Sequence, residues 1–213
     1  MTIPFVSIGP DWHGATAVYL GSGPSLAAVD TTLLGGFRTI VQNDSVHKLP
    51  DACTYLLCDR HWLDKHPDFA DYYKGPEIIT LRPDHVTRPD PRLVAMKRGP
   101  HAGLSERATE LNGNHTSLTH AICLAVLRGV TRILLVGVDL KPGPDGRRHY
   151  HDGEIDRPDA IETRYPAHAR TLATQVDPLA ARGIAVINCN PDSGLDLWPR
   201  MSLAEAVGVA RAA

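Results

Sequence analysis

Short apolar runs separated by polar corners recur along this chain of 213 residues, and most are too short to form the faces of surface helices. Residues 15–20, 38–41, 53–57, 77–81, 131–140 and 184–187 read as strands. The strongest is 131–140, whose centre, Ile133-Leu134-Leu135-Val136-Gly137-Val138, is apolar without alternation. Such continuity implies burial on both faces, as in a central strand of a parallel sheet. Between the runs the period changes. Residues 25–34 carry a short amphipathic helical pattern that stops at Gly35-Gly36, a glycine C-cap. Residues 61–73 have helical spacing closed by Gly75-Pro76, and 116–128 sets Leu118, Ile122, Ala125 and Val126 on one face. Residues 160–182 are helical, with Pro166 and Pro178 as kink points. A last helix, 202–212, opens on Ser202 as N-cap with Glu205 three positions on. Residues 1–14, with Pro4, Pro10 and Trp12, form an arm or an edge segment.

Strands alternating with helices predict an α/β fold: a doubly wound, mostly parallel Rossmann-like sheet with helices on both faces. No repeat or composition break divides it, so residues 1–213 are expected to form a single nucleotide-binding domain. Two stretches interrupt the alternation. Residues 82–113 are rich in proline, arginine and glycine with little periodicity, and 141–159 are polar. Loops of that length in a compact domain are usually functional. The first reads as a lid or acceptor-side segment. In doubly wound sheets ligands bind beyond the carboxyl ends of the strands. That rule selects one rim: Gly21–Ser25, Asn43-Asp44, Asp59 and Asp139 onward.

The corner Gly21-Ser22-Gly23-Pro24-Ser25 is the sharpest feature of this rim. Glycines between a strand and a helix start permit positive φ and close approach of backbone to ligand. Pro24 suits a first helical turn, where amides are free to face an anion. A nucleotide phosphate at Gly21–Ser25 is one reading, and a tight turn that binds nothing is the other. The corner lacks the Gly-Lys-Ser/Thr of a P-loop and the third glycine of a dinucleotide fingerprint, although Asp44 lies near the ribose-binding distance after it. Asn43 could hydrogen-bond a base or ribose, or simply make a turn. Asn114, Thr116 and Ser117 open a helix, where they cap it or contact a ligand. In Arg147-Arg148-His149-Tyr150-His151-Asp152 the two histidines and the aspartate could hold a metal, or join the arginines on a phosphate; a solvated charged loop is the alternative. Tyr165 and His168 share a helix face, and a histidine there can serve as general base near neutral pH.

Bulk properties narrow the classes. Apolar residues make up 43% and charged residues 22%, ordinary for a globular protein, and the formal charge of −2 offers no basic field for nucleic acid. Aromatics, at 6%, are too few for stacking platforms. No run approaches the ~20 apolar residues that span a bilayer. Met1-Thr2-Ile3-Pro4 begins no signal-peptide core, so cytoplasmic residence is expected. Cys53, Cys58, Cys123 and Cys189 form no C-x-x-C pair and sit in apolar segments, as reduced core cysteines do.

Taken in order, Gly21–Leu26, Asn43, His115–Ser117, Ile133–Leu140, Tyr165-x-x-His168 and Asn188–Gly194 resemble the bacterial sialyltransferases of the lipo-oligosaccharide type. They are also similar to a wider Rossmann-like group with archaeal 6-hydroxymethylpterin pyrophosphokinases, flagellin glycosylation proteins and many phage and prophage proteins. The phage members look nearest, around 145–151 and Pro199-Arg200. The resemblance implies that Gly21, Ser22, Gly23, Pro24, Ser25 and Asn43 hold a cytidine nucleotide sugar, with Asn114, Thr116 and Ser117 at the donor site. It implies that Tyr150, with Arg147 and Arg148, stabilises the leaving phosphate, and that His168 is the general base of a metal-independent single displacement. Three positions depart from that pattern: Ser22 replaces an asparagine, Asn114 a basic residue and Lys141 a tyrosine. A nucleotide-sugar-dependent glycosyltransferase needing no cofactor is therefore the first expectation. Its partners would be a nucleotide sugar, an acceptor of unspecified chemistry and, as a further option, a second copy in a homo-oligomer. A magnesium-dependent diphosphotransferase using Asp44, Asp59 and Asp139 is the second. A non-catalytic nucleotide-binding protein of phage origin is the third.

Overall fold

The six apolar runs and one further edge strand pair in parallel as a seven-stranded sheet in the order β5-β4-β3-β2-β1-β8-β9. Their ranges are β1 Thr16–Leu20, β2 Arg38–Gln42, β3 Thr54–Leu57, β4 Ile78–Thr80, β5 Leu93–Ala95, β8 Arg132–Val136 and β9 Ala185–Asn188. Two further strands, β6 Lys97–Arg98 and β7 Glu110–Leu111, make a small separate parallel pair. The helices are α1 Arg60–Lys65, α2 Ser117–Leu127, α3 Ala160–Ala181 and α4 Leu203–Ala212. This computed structural model describes residues 3–151 and 160–212. The expected Asp152 and the rest of 153–159 lie outside the described residues.

Because side chains alternate across each strand, the sheet builds two cores. Tyr19, Ile40, Leu56, Ile79, Ile133 and Leu135 pack with Leu118, Ile122 and Ala125 of α2 and Leu172 and Leu179 of α3. Val18, Leu20, Val41, Tyr55, Leu57 and Leu134 pack on the other face with Trp62 and Leu63 of α1 and Ala206 and Val207 of α4. Helices on both faces of a parallel sheet are thus what the continuous apolar runs required.

Local differences from the sequence pattern have physical reasons. Residues 25–34 form two 3-10 turns, Pro24–Ala28 and Thr31–Leu34, in place of one helix. Asp30 accepts from the Thr32 amide at 3.0 Å and its hydroxyl at 2.6 Å, and such side-chain capping competes with helical continuation. The helix expected over 61–73 stops at Lys65, because His66 precedes Pro67 and is pushed out of the helical region. A 3-10 turn, Phe69–Asp71, follows. Residues 82–113 contain β5, at the edge of the main sheet, and the small β6–β7 pair, so the presumed loop is anchored by strands. The N-terminal arm lies along that edge: Val6 donates to the Ala95 carbonyl at 3.0 Å and Ala95 to the Pro4 carbonyl at 2.8 Å. The long helix α3 runs through Pro166 and Pro178. At α4 the Ser202 amide donates to Glu205 at 2.9 Å and the Glu205 amide to the Ser202 hydroxyl at 3.3 Å, the expected reciprocal cap. No helix among the described residues is long and apolar enough to cross a membrane.

Candidate active site at the sheet switch point

The chain leaves β1 toward β2 on one side, and β8 pairs with β1 on the other. Loops beyond the two carboxyl ends therefore diverge and leave a crevice between them. A cavity of about 630 Å³ occupies it, within the range of small-molecule sites. Three non-glycine residues of positive φ stand at this end of the sheet: Asn43 (41°), His115 (59°) and Leu140 (47°). Backbone strain of that kind concentrates where geometry serves a site.

The glycine corner is built by close approach. The Gly21 amide donates to the Val136 carbonyl at 2.8 Å and that of Gly23 to the Gly137 carbonyl at 2.9 Å. A Cβ on Gly21 would stand 2.5 Å from the Gly137 oxygen. One on Gly23 would stand 2.5 Å from Asp139 Oδ2. Neither glycine has positive φ; Gly137 does, at 66°. Gly21 and Gly23 are thus glycines because β1 and the segment after β8 nearly touch. The anion facing Ser25 is internal. Asp139, 5% exposed, accepts from the Ser25 amide at 2.7 Å and the Ser25 hydroxyl at 2.5 Å, and from Asn190 Nδ2 at 2.6 Å. The amides of Gly21, Gly23 and Ser25 are therefore used within the protein, and the corner offers a shaped wall in place of a nest of free amides. Gly23→Ala should destabilise the fold by about 1–3 kcal/mol, as overpacking does, and disturb the Asp139–Ser25 link. An unfolding free energy from urea titration within ~0.5 kcal/mol of the parent's would show that the approach is looser than these distances.

Of the expected site residues, Gly21, Ser22, Gly23, Thr116, Ser117, Arg148 and His168 line the main cavity. Pro24 and Ser25 line a neighbouring one of about 350 Å³, with Asp139 between the two. Asn43, Asn114, Arg147 and Tyr150 line neither cavity. Thr116 caps α2, its hydroxyl accepting from the Leu118 amide at 3.3 Å. The Asn114 carbonyl accepts from the Thr116 amide at 2.6 Å, and Arg147 pairs with Asp145 at 2.7 Å. Tyr150 is turned aside. Its hydroxyl donates to the Asp44 carbonyl at 2.5 Å, while its amide donates to the Ser22 carbonyl at 3.1 Å. Burial, then the Asp44 charge, push its pKa up to about 12, so it remains a donor. Tyr150 thus pins the 141–151 loop to the glycine corner.

Other wall residues supply the remaining chemistry. Gln42, Asp59, His115, Lys141, Arg164 and Tyr165 are also part of its lining. Tyr165 packs edge-on to His168 at 6.4 Å between ring centroids. Arg164 lies four residues before His168, a helical spacing that would have nominated it from sequence. The strand-end carboxylates do not converge. Asp59 caps α1 through the His61 amide at 2.8 Å, Asp44 accepts from the Trp62 indole at 3.1 Å, and Asp139 is saturated as above. Among the described residues no three metal-ligating side chains form a group.

No protein-family model matches the chain, and no curated protein matches it in sequence. Solved structures do. The sialyltransferase CstII from Campylobacter jejuni, in complex with the substrate analogue CMP-3FNeuAc, superposes with a TM-score of 0.53. The identity is 13%, over 88% of this chain and 86% of that one. The same enzyme with cytidine 5′-monophosphate gives 0.53 at 14% identity, over 89% and 86%. A CST-II complex with a trisaccharide acceptor and CMP gives 0.51 at 13% identity, over 86% and 84%. The likeness is one of fold. This chain has the Rossmann-like α/β fold of the CstII sialyltransferases along most of its length.

Proposed function

We propose that the protein is a nucleotide-sugar-dependent glycosyltransferase acting by single displacement, with His168 as general base. The observation that carries this reading is the meeting of His168 with the glycine corner on one cavity wall system, at the crevice where this fold binds ligands. The solved neighbours of the same fold hold CMP or CMP-3FNeuAc. In the proposed reaction an acceptor hydroxyl gives its proton to His168 while its oxygen attacks the anomeric carbon. The bond from that carbon to the nucleotide phosphate breaks, and the electron pair leaves with the phosphate. Lys141, Arg148 and Arg164 are the cations on the wall that would stabilise the growing negative charge. They take the part that sequence resemblance gives to Tyr150. Gly21–Gly23 would shape the nucleotide's place through backbone surface, and Thr116 and Ser117 would face it from the start of α2. No step requires a metal.

The test begins with a thermal-shift panel of CMP, UDP, GDP and ATP, with and without Mg²⁺. A nucleotide at a hundredfold over its Kd should add about 2.7 kcal/mol of apparent stability, a rise of several degrees for a chain of this size. No shift with any nucleotide overturns the reading. With a binding nucleotide identified, His168→Ala should retain most of that shift while sugar transfer falls by about 10²–10⁴-fold. Transfer that survives in His168→Ala assigns the base elsewhere.

A further inference from the structure

Two polar side chains, Tyr19 of β1 and Gln42 of β2, reach the main cavity from the sheet itself. Tyr19 pairs with Ile40 of β2, and Gln42, two residues beyond Ile40, pairs with Leu56 of β3. Side chains alternate along a strand, so these four share one face of the sheet. On that face Tyr19, Ile40 and Leu56 pack in the same apolar core as Leu118 of α2. Tyr19 is 3% exposed and Gln42 8% exposed. The buried part of the cavity lining therefore includes a phenol and a carboxamide, on diagonal neighbours of adjacent strands.

Neither group is satisfied within the fold. The Gln42 carboxamide oxygen is buried without a hydrogen-bond partner. The bonds that join Gln42 to Ser45 use its backbone: the Gln42 amide donates to the Ser45 hydroxyl at 2.9 Å, and the Gln42 carbonyl accepts from that hydroxyl at 2.7 Å. The Ser45 amide faces the Gln42 side chain in the manner of a helix cap, yet leaves its oxygen without a hydrogen bond. Among the described residues the Tyr19 hydroxyl has no hydrogen-bond partner either. Burial, then the nearby Cys58, hold its pKa well above the usual tyrosine value, so it stays a donor at neutral pH. A buried polar group without a partner costs stability, and an apolar side chain of the same shape would avoid that cost. Phenylalanine and methionine would fill these two places without it. Polar groups kept in such places serve something outside the fold.

We infer that Tyr19 and Gln42 form a neutral polar subsite of the cavity, which takes an uncharged hydroxyl or amide group of the substrate. A phenol and a carboxamide can each donate and accept, as a hydroxyl or an amide requires. Two neutral dipoles do not compensate the desolvation of a charge, so a charged group is excluded from this part of the cavity. The subsite sets specificity, because an analogue lacking the group leaves both side chains unpaired. For the identity of the substrate this rests on the glycosyltransferase reading. The nucleoside, the donor sugar or the acceptor can carry the group, and the three are separated by experiment.

The test compares the parent with Tyr19→Phe, which deletes one oxygen, and Gln42→Met, which keeps the length of the side chain. Both unliganded variants should have a Tm equal to the parent's or higher. If the nucleoside carries the group, CMP and CMP-3FNeuAc should each bind the variants about tenfold more weakly. If the donor sugar carries it, CMP-3FNeuAc should show that loss and CMP should not. If the acceptor carries it, both nucleotides should bind as in the parent, and a neutral trisaccharide should bind about tenfold more weakly in the presence of CMP. Equal affinities for all three ligands in parent and variants overturn the subsite. A Tm more than roughly 4 °C below the parent's in either variant also overturns it, since that group would then be paired within the fold. Failure of both nucleotides to bind the parent overturns the glycosyltransferase reading instead. The Tm comparison then decides the subsite: values at or above the parent's support it, and lower ones overturn it.

Discussion

Arg128→Ala should destabilise the folded chain by about 3 kcal/mol, the cost of removing a buried cation that packs on Trp12 and leaving the partly buried Glu77 without it. Arg128, at the C-terminal end of α2, is 5% exposed. One guanidinium nitrogen donates to Asp11 Oδ2 and the other to Glu77 Oε2, each at 2.5 Å, and its plane lies 4.6 Å from the Trp12 ring centre. Glu77 also accepts from the Thr54 hydroxyl at 2.8 Å, so its other contact does not supply a cation. The surrounding backbone is joined at the same place. The Trp12 amide donates to the Arg128 carbonyl, and the Gly14 amide to that of Gly129, both at 2.9 Å. One side chain therefore ties the N-terminal arm, the end of α2 and the start of β4, at the pole opposite the cavity. For a domain of this size about 3 kcal/mol corresponds to roughly 6–12 °C in Tm. Urea unfolding gives the direct measure. Arg128→Met separates charge from packing: it keeps the stem against Trp12 but leaves Glu77 unpaired, and adding Glu77→Gln should recover most of the loss. Stability within ~0.5 kcal/mol of the parent for Arg128→Ala would show that Asp11 and Glu77 are hydrated well enough to do without it.

That tie could not be read from the chain, because it joins three segments far apart in sequence. What could be read were the features set by local pattern. The continuous apolar character of Ile133–Val136 implied a central parallel strand, and β8 pairs on both sides. Ser202 and Glu205 implied a reciprocal cap, and they form it. Pro67 was a stop signal for α1 that the helical spacing of 61–73 concealed. The strand β5 has only Leu93-Val94-Ala95, too few residues for periodicity, and is defined by its neighbour β4 and by the arm that lies on it. The site divides in the same way. Gly21 and Gly23 stood out from sequence, and so did His168 with Tyr165 on one helix face. The reason for the glycines did not, since it lies in the Gly137 carbonyl and the Asp139 carboxylate more than a hundred residues away. Tyr150 illustrates the converse: a residue chosen for its chemistry proves committed to a backbone carbonyl beside it. Residue type told which groups can do chemistry, and only the packing of distant loops told which of them face the cavity.

Acid should weaken the protein earlier than its carboxylates alone would allow, because of His120. Its ring is sealed within α2 against Gly113, where a Cβ would approach Cδ2 to 3.1 Å. Burial first, then the charges of Arg98 and Arg82, lower its pKa from 6.5 to about 3. In the unfolded chain the ring takes a proton as pH falls through about 6.5, while in the folded protein it stays neutral until about 3. Over that interval the unfolded state binds more protons, so stability rises with pH and is lost as pH falls. Between pH 6.5 and about 4.5 the loss should be about 2 kcal/mol from this one group. The carboxylates held below their usual range, Asp30 and Asp68 by hydroxyl donors, Asp90 by Arg92 and Glu205 by Ser202, add their own loss only below about pH 4.5. The two contributions are therefore separated on the pH axis. His120→Leu removes the titrating ring, and the difference in unfolding free energy between variant and parent should change by about 3 kcal/mol from neutral pH to about 4.5. His120→Gln, which keeps a polar group of similar length, should flatten the slope in the same way if leucine packs poorly. Parallel stability curves for parent and both variants would mean that the ring is hydrated in the folded state, and that Arg82 and Arg98 look onto water there.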